Sequence, residues 1–336
     1  MKARLSDIAQ HADVSEATVS RVLNGKPGVA DATRQAVLTS LDVLGYDRPS
    51  RLRRKSAGLV GLVTPELTNP IFPAFAQVIE TALARSGYTP VLCTQTPGGV
   101  SEDEYVEMLL ERGVAGIVFV SGLHADSTAN PERYHRLIAQ RVPIVLINGY
   151  APSVPAPFFS NDDVESMELS VSHLVSLGHC RIGLAIGPAR YVPVARKVEG
   201  FLRSLAGHLG PVDAAEVVEH TFFTVEGGAA AASTLLERGC SAIVCGSDLM
   251  ALGAVRAARS GGLAVPREVS VVGYDDSPLI GFTDPPLTTV RQPVAAMCRA
   301  AVRALLDEIA GVPVPRTEFF YRPELVVRSS TGPAPA

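Results

Sequence analysis

The chain has 336 residues, 47% of them hydrophobic, and a formal net charge of −4 at neutral pH. This length suits a small domain joined to a larger two-lobed one, and the apolar residues fall in short runs rather than in a stretch of about 18 that would span a bilayer. Five scattered cysteines, Cys93, Cys180, Cys240, Cys245 and Cys298, include no C-x-x-C pair, which argues against a disulfide framework or a zinc site and points to buried free thiols.

The start, Met1 to Asp7, runs straight into polar residues without the apolar segment of a secretory signal, so the expected location is the cytoplasm. Charge is unevenly spread. Residues 1–58 carry ten Lys/Arg against six Asp/Glu, and the remainder carries 20 against 28. A basic head on an acidic body implies that the head alone meets a polyanion.

Leu5, Ile8, Ala9 and Ala12 recur at helical spacing until Asp13-Val14 interrupts them, which predicts a short helix and a tight turn. Ser15 is placed to cap a second helix whose buried stripe is Val19, Val22 and Leu23. After Asn24 to Gly28, a third helix from about Asp31 to Leu44 buries Val37, Leu38 and Leu41 and stops at Gly45, suited to a left-handed C-cap. Three short helices with one apolar seam make a helix-turn-helix unit over residues 1–46.

The second helix leaves Glu16, Ala17, Ser20, Arg21 and Asn24 on its outer side. Arg21 can form a bidentate contact with guanine, Glu16 can accept from cytosine, and Ala17 can touch a thymine methyl. Ser15, Thr18 and Asn24 suit phosphate oxygens. Residues 47–57 follow as a Pro-interrupted, very basic linker in which Arg53 and Arg54 can lie on phosphate.

From Gly58 the chain alternates short branched strands with helical stretches. Strands are predicted at 59–63, 88–93, 116–120 and 144–147, with helices at 72–86, 101–112 and 131–140, which describes one doubly wound lobe. The pattern restarts with a helix over 164–177 and strands at 181–186, 217–219, 242–245 and 269–273. The fold class is α/β: a small all-α head and a body of two doubly wound parallel-sheet lobes, with a ligand cleft outside the carboxyl ends of the strands.

The runs Leu5 to Ala9, Val14 to Asn24, Thr33-Arg34 and Leu44-Gly45-Tyr46 closely resemble the lactose/galactose repressor (LacI/GalR) family. The resemblance extends to about residue 330 through Thr68 to Phe72, Leu177-Gly178-His179, Gly246 to Gly253, Val272 to Asp276 and Pro286 to Val290. It implies that Glu16, Ala17 and Arg21 carry base contacts in the major groove. It further implies a hinge helix from which Leu52 wedges into the minor groove, although the Tyr46 to Leu52 spacing is about three residues short of the family's usual pattern.

For the body, the resemblance implies a periplasmic-binding-protein-like architecture. The first lobe then covers about 58–159 and 290–319, the second about 160–289 and 320–331, and 332–336 form a disordered tail. The implied ligand contacts are Asn69, Phe72 and Asn148 from the first lobe, and Lys197, Phe223, Ser247 and Asp275 from the second. Asp275, Asn148 and Lys197 can bond hydroxyls, and Phe72 and Phe223 can stack on a sugar ring. Two positions depart from the pattern: Lys197 stands where many relatives carry arginine, with Arg196 adjacent as a substitute, and Ser247 where several carry asparagine.

The expectation is a homodimeric repressor, without a cofactor, that is released from palindromic double-stranded operator DNA by a small molecule, a carbohydrate fitting best. A ligand that promotes DNA binding, or an activating output, is the alternative. A solute-binding protein or an enzyme on the same fold is more remote: no G-x-S-x-G, G-x-G-x-x-G, phosphate-loop or metal-spaced histidine motif is present.

Overall fold

A computed structural model of the chain describes residues 4–46, 56–95 and 98–335. It divides into two units, residues 1–57 and 58–336. The expectations for Leu52, Arg53 and Arg54 fall outside the described residues.

The head consists of α1 (Leu5–His11), α2 (Glu16–Leu23) and α3 (Asp31–Val43). Ile8, Ala9, Val19, Val22, Leu23, Val37 and Leu41 form its core, because each helix places these side chains on one face at three- and four-residue spacing. Leu5 stays partly exposed, at 37%. The end of α3 closes as the sequence suggests: Gly45 has φ +65°, and Tyr46 N–H donates to the Leu41 carbonyl while Gly45 N–H donates to that of Asp42, the Schellman arrangement. The turn after α1 uses the same pairing, Val14 N–H to Ala9 O, with Asp13 at φ +51° in place of glycine.

In the body, β1 (Gly58–Thr64), β2 (Tyr88–Thr94), β3 (Gly116–Val120), β4 (Ile144–Ile147), β5 (Phe158–Asn161) and β11 (Glu318–Tyr321) form a parallel sheet in the order β11-β5-β4-β3-β1-β2. Alternation along the strands sorts side chains to two faces. Val118, Val120, Val145 and Ile147 meet α4 (Ile71–Arg85) and α12 (Val294–Ile309). Ile117, Phe119, Ile144 and Leu146 meet α5 (Glu102–Glu111) and α6 (Glu132–Ala139).

The second sheet has the order β12-β10-β9-β8-β6-β7, built from β6 (Ile182–Ile186), β7 (Val218–His220), β8 (Ala242–Cys245), β9 (Ser270–Asp275), β10 (Thr288–Arg291) and β12 (Glu324–Val326). It is parallel except for β12, which runs antiparallel to β10. Helices α7 (Asp163–Ser176) and α8 (Val192–Leu209) pack on one face, α10 (Val225–Glu237) and α11 (Asp248–Ser260) on the other, and the short α9 (Ala214–Val217) precedes β7. The chain therefore crosses between lobes after β5, after β10 and after β11.

The tail departs from expectation. Residues 332–335 are tied down rather than loose: Gly332 N–H donates to Ser270 Oγ at 3.0 Å and Ala334 N–H to the Leu177 carbonyl at 2.8 Å. Buried His179 joins the same knot through Ser241 Oγ (2.8 Å), Ser270 Oγ (2.9 Å) and the Gly332 carbonyl. All five cysteines are free and four are buried, with Cys180 exposed. No helix among the described residues is long and apolar enough to cross a membrane.

Candidate functional site

In the head, Ser15 Oγ accepts the Thr18 N–H at 3.2 Å and meets the Thr18 hydroxyl at 2.9 Å, a cap worth about 1 kcal/mol. With Val19, Val22 and Leu23 buried, Glu16, Ala17, Arg21 and Asn24 stand exposed, and Thr18 and Ser20 are half-buried. Arg21 is held rather than free, since its Nη2 donates to the Pro27 carbonyl at 2.7 Å. Asn24 Nδ2 folds back onto the Ser20 carbonyl at 2.8 Å. The helix thus offers one acidic, one methyl and one guanidinium group on a single face.

In the body, a cavity of about 330 Å³ lies where the carboxyl ends of both sheets face each other. Its lining residues follow strands almost without a gap: Asn69 and Phe72 after β1, Gln95 after β2, Ser121 after β3, Asn148 after β4, and from the second lobe Tyr191 after β6, Phe223 after β7, Ser247 after β8, Asp275 at the end of β9 and Gln292 after β10. That placement is what parallel α/β topology dictates. Three of these non-glycine residues hold left-handed backbone, Ser121 (φ +45°), Asn148 (φ +56°) and Asp275 (φ +115°), a strain of about 1–3 kcal/mol each that clusters at functional sites.

Asp275, 6% exposed, accepts from Gln292 Nε2 at 2.7 Å, and Gln292 Oε1 in turn accepts from Asn148 Nδ2 at 3.1 Å. The Asn69 side chain also bonds Asp275. These bonds join the two lobes through one carboxyl. Burial, reinforced by the neighbouring Asp248 charge, pushes the Asp275 carboxyl well above the usual carboxylate range, so it is poised to donate as well as accept.

Lys197 reaches the cavity from α8. Its Nζ lies 2.5 Å from Asp163 Oδ1 and 4.2 Å from the centre of the Tyr274 ring. Tyr274 donates to the same Asp163 oxygen at 3.0 Å. Burial, with the charges of Asp163 and Asp275, raises the phenol and keeps it protonated. A buried ion pair of this kind holds only because each partner is matched.

Ser247 caps α11 by accepting the Met250 N–H at 3.3 Å, which leaves its own O–H to donate. Beside it, burial lifts Asp248 to about 6, while the Ser277 N–H (2.7 Å) and the Thr289 hydroxyl (2.6 Å) donate to its carboxyl. Phe223 occupies space that exists only because residue 187 is glycine: a Cβ there would lie 2.1 Å from the ring. Phe72 stands half-buried on the opposite wall.

Seven of the eight expected contact residues line this cavity: Asn69, Phe72, Asn148, Lys197, Phe223, Ser247 and Asp275. Arg196 does not. It forms a bidentate pair with Glu318 of β11 at 2.6 and 2.8 Å and lies over the rings of Tyr150 and Phe320, because successive residues on a helix point about 100° apart. Its role is to tie the lobes together. Sequence reasoning missed Asp163, Gln292, Tyr191, Tyr274 and Gln95. Only position after a strand end hinted at four of them, while Asp163 reads as an ordinary first-turn acid of α7.

A second tie crosses the cleft beside Tyr191. Arg190 Nε meets Asp126 Oδ2 at 2.8 Å, Ser127 N–H donates to the Arg190 carbonyl at 2.9 Å, and Asp126 and Tyr191 form an antiparallel bridge.

Residues 4–49 match the family described as bacterial regulatory proteins of the lacI family, and residues 171–331 match a periplasmic binding protein-like domain. The chain is 66% identical over 339 residues to the HTH-type transcriptional regulator reg1 of Streptomyces lividans, covering 100% of this chain and 98% of that protein. It is 66% identical over 338 residues to the HTH-type transcriptional regulator MalR of Streptomyces coelicolor, with the same coverage. Among solved structures, the transcriptional regulator CelR–cellobiose complex superposes with a TM-score of 0.73 at 31% identity over 98% of this chain and 100% of that one. The lac repressor dimer bound to operator and the anti-inducer ONPF gives 0.70 at 27%, over 99% and 100%.

Proposed function

Because the chain belongs to the lacI family of bacterial regulatory proteins and is a DNA-binding transcriptional regulator, we propose that it acts in the cytoplasm as a homodimeric repressor, released from a palindromic operator by a neutral sugar, a disaccharide in particular. The head reads DNA through Glu16, Ala17 and Arg21, with Ser15, Thr18, Ser20 and Asn24 along the backbone, and Leu52, Arg53 and Arg54 complete the contact from the hinge. A two-fold dimer doubles one short half-site into a palindrome. The similarity to a regulator solved with cellobiose and to one solved as a dimer on operator supports both halves of this reading.

The observation that carries the ligand class is the chemistry of the cavity. Phe72 and Phe223 supply ring faces, while Asn69, Asn148, Ser247 and Asp275 supply hydrogen-bonding groups from both lobes, the combination a pyranose demands. Among the described residues that line it, the acidic groups are Glu66, Asp163 and the raised Asp275, and the one cation is Lys197, already engaged by Asp163. That balance disfavours a sugar phosphate, for which a free arginine or lysine is needed. Ligand held by Asn69 and Asn148 on one side and Asp275 and Lys197 on the other favours one lobe arrangement, and this differential affinity is what shifts the operator-binding population. Calorimetric titration with cellobiose, maltose and their phosphates tests the class: binding of a neutral disaccharide is expected, and binding of phosphates alone would overturn it.

A further inference from the structure

Directly behind the first-lobe wall of the cavity sits a carboxylate that does not itself line it. Glu102, at the start of α5, is 1% exposed, and among the described residues the polar groups that meet its carboxyl are donors. Tyr134 O–H reaches Oε1 at 2.5 Å, Leu123 N–H reaches Oε2 at 2.9 Å, Gln95 Nε2 reaches Oε2 at 3.2 Å, and Arg133 Nη1 stands 3.5 Å from Oε1. The direction of the Tyr134 bond is fixed, because burial and the Glu102 charge keep the phenol protonated and its oxygen already accepts the His124 N–H at 2.8 Å.

This arrangement orients a cavity residue. Gln95 carries both a donor and an acceptor at its tip and can turn either way, but a carboxyl that already faces the Tyr134 hydroxyl, the Leu123 N–H and the Arg133 guanidinium presents its oxygens as acceptors. The amide nitrogen must therefore face Glu102. The carbonyl Oε1 is left without a hydrogen bond among the described residues, on a side chain that lines the cavity. The same carboxylate holds Leu123 and abuts Gly122, where a Cβ would lie 2.5 Å from Oε2.

We propose that Gln95 is a ligand-reading residue that presents its carbonyl oxygen to one hydroxyl of the bound sugar, and that Glu102 is the positioning residue that fixes this orientation. The proposal rests on the reading of the cavity as a sugar site. It adds an obligate acceptor to the first-lobe wall, so the matching ligand position must be a donor, a hydroxyl rather than a deoxy or fluoro carbon.

The test is calorimetric titration of wild type, Gln95→Met and Glu102→Gln with cellobiose or maltose, whichever binds, and with the monodeoxy and monodeoxyfluoro derivatives of that sugar. Wild type is expected to bind the parent roughly ten-fold more tightly than the derivatives altered at one position, and Gln95→Met to lose both that affinity and that discrimination. In Glu102→Gln the new amide can donate to the Gln95 oxygen, so Gln95 can turn its NH₂ inward. The fluoro derivative, which accepts but does not donate, then gains relative to the parent. A purely structural Glu102 would weaken every ligand alike. If Glu102→Gln fails to fold, as a melting curve would reveal, Gln95→Met decides alone. Parent and derivatives binding Gln95→Met as they bind wild type would overturn the proposal. A wild type that binds no sugar would instead overturn the sugar reading and, with it, the ligand role of Gln95. Independently of any ligand, the side-chain N–H protons of Gln95 should exchange slowly in nitrogen-15 NMR, and exchange as fast as in an exposed glutamine would remove the Glu102 constraint.

Discussion

Arg190 of the second lobe lies 2.8 Å from Asp126 of the first, across the cleft beside the cavity-lining Tyr191. Arg190 is about half exposed, so the pair contributes no more than about 1 kcal/mol. Its expected effect is therefore on rates of ligand exchange more than on affinity. In Asp126→Asn, association and dissociation of the bound disaccharide should both accelerate by roughly three- to five-fold in stopped-flow tyrosine fluorescence, and Asp126→Arg combined with Arg190→Asp should restore the slower exchange. Rates equal to wild type in the single variant would show that the strap does not gate the cleft.

The Lys197–Asp163 pair is expected to behave as a buried one. Lys197→Met leaves Asp163, 5% exposed, without its cation, at a cost of about 3 kcal/mol in denaturant unfolding. The double variant Lys197→Met with Asp163→Asn should recover most of that loss, since the remaining amide can still accept from the Tyr274 hydroxyl. Additive losses in the double variant would contradict a coupled pair.

Among the groups that make stability depend on pH between 4 and 6, Asp275 included, Asp248 and His124 act in opposite senses. Burial holds Asp248 at about 6 against an ordinary 3.8, so the folded chain keeps a proton that the unfolded chain has released. This destabilises progressively as pH rises through that window. His124, held at about 4 by burial against 6.5, stays neutral while the unfolded imidazole is protonated, which stabilises as pH rises over about the same range. Each contributes at most about 3 kcal/mol. The melting temperature of Asp248→Asn should climb more steeply from pH 4 to 6 than that of wild type, and that of His124→Gln less steeply. Parallel curves in scanning calorimetry would count against both assignments.

These two groups mark where sequence reading stops. The head was legible because Val19, Val22 and Leu23 follow helical spacing and because Ser15 and Gly45 sit where a cap and a left-handed turn are needed. The strands were legible from branched runs such as Gly116–Val120, buried along their whole length. Within the cavity, Asn69, Lys197 and Asp275 could be named only through family resemblance, since nothing in periodicity brings residues 69 and 275 together. Arg196 was misplaced because adjacency in sequence was read as adjacency in space, although Lys197 faces Asp163 and Arg196 faces Glu318. The tail was expected to be disordered, yet backbone bonds from Gly332 to Ser270 and from Ala334 to Leu177 hold it. Environments such as those of Asp248 and His124 depend on burial from several elements and leave no local signature.

The most direct test is fluorescence anisotropy of the full chain on its own upstream DNA at fixed salt, with salt controlled because phosphate contacts make affinity steeply dependent on it. Wild type should bind a palindromic site as a dimer. Arg21→Ala should lower that affinity by roughly ten-fold or more, and a saturating neutral disaccharide should release wild type by a similar factor, while sugar phosphates should have little effect. DNA binding indifferent both to Arg21→Ala and to every neutral disaccharide would contradict the account, and a sugar that tightened binding would reverse the direction of the switch.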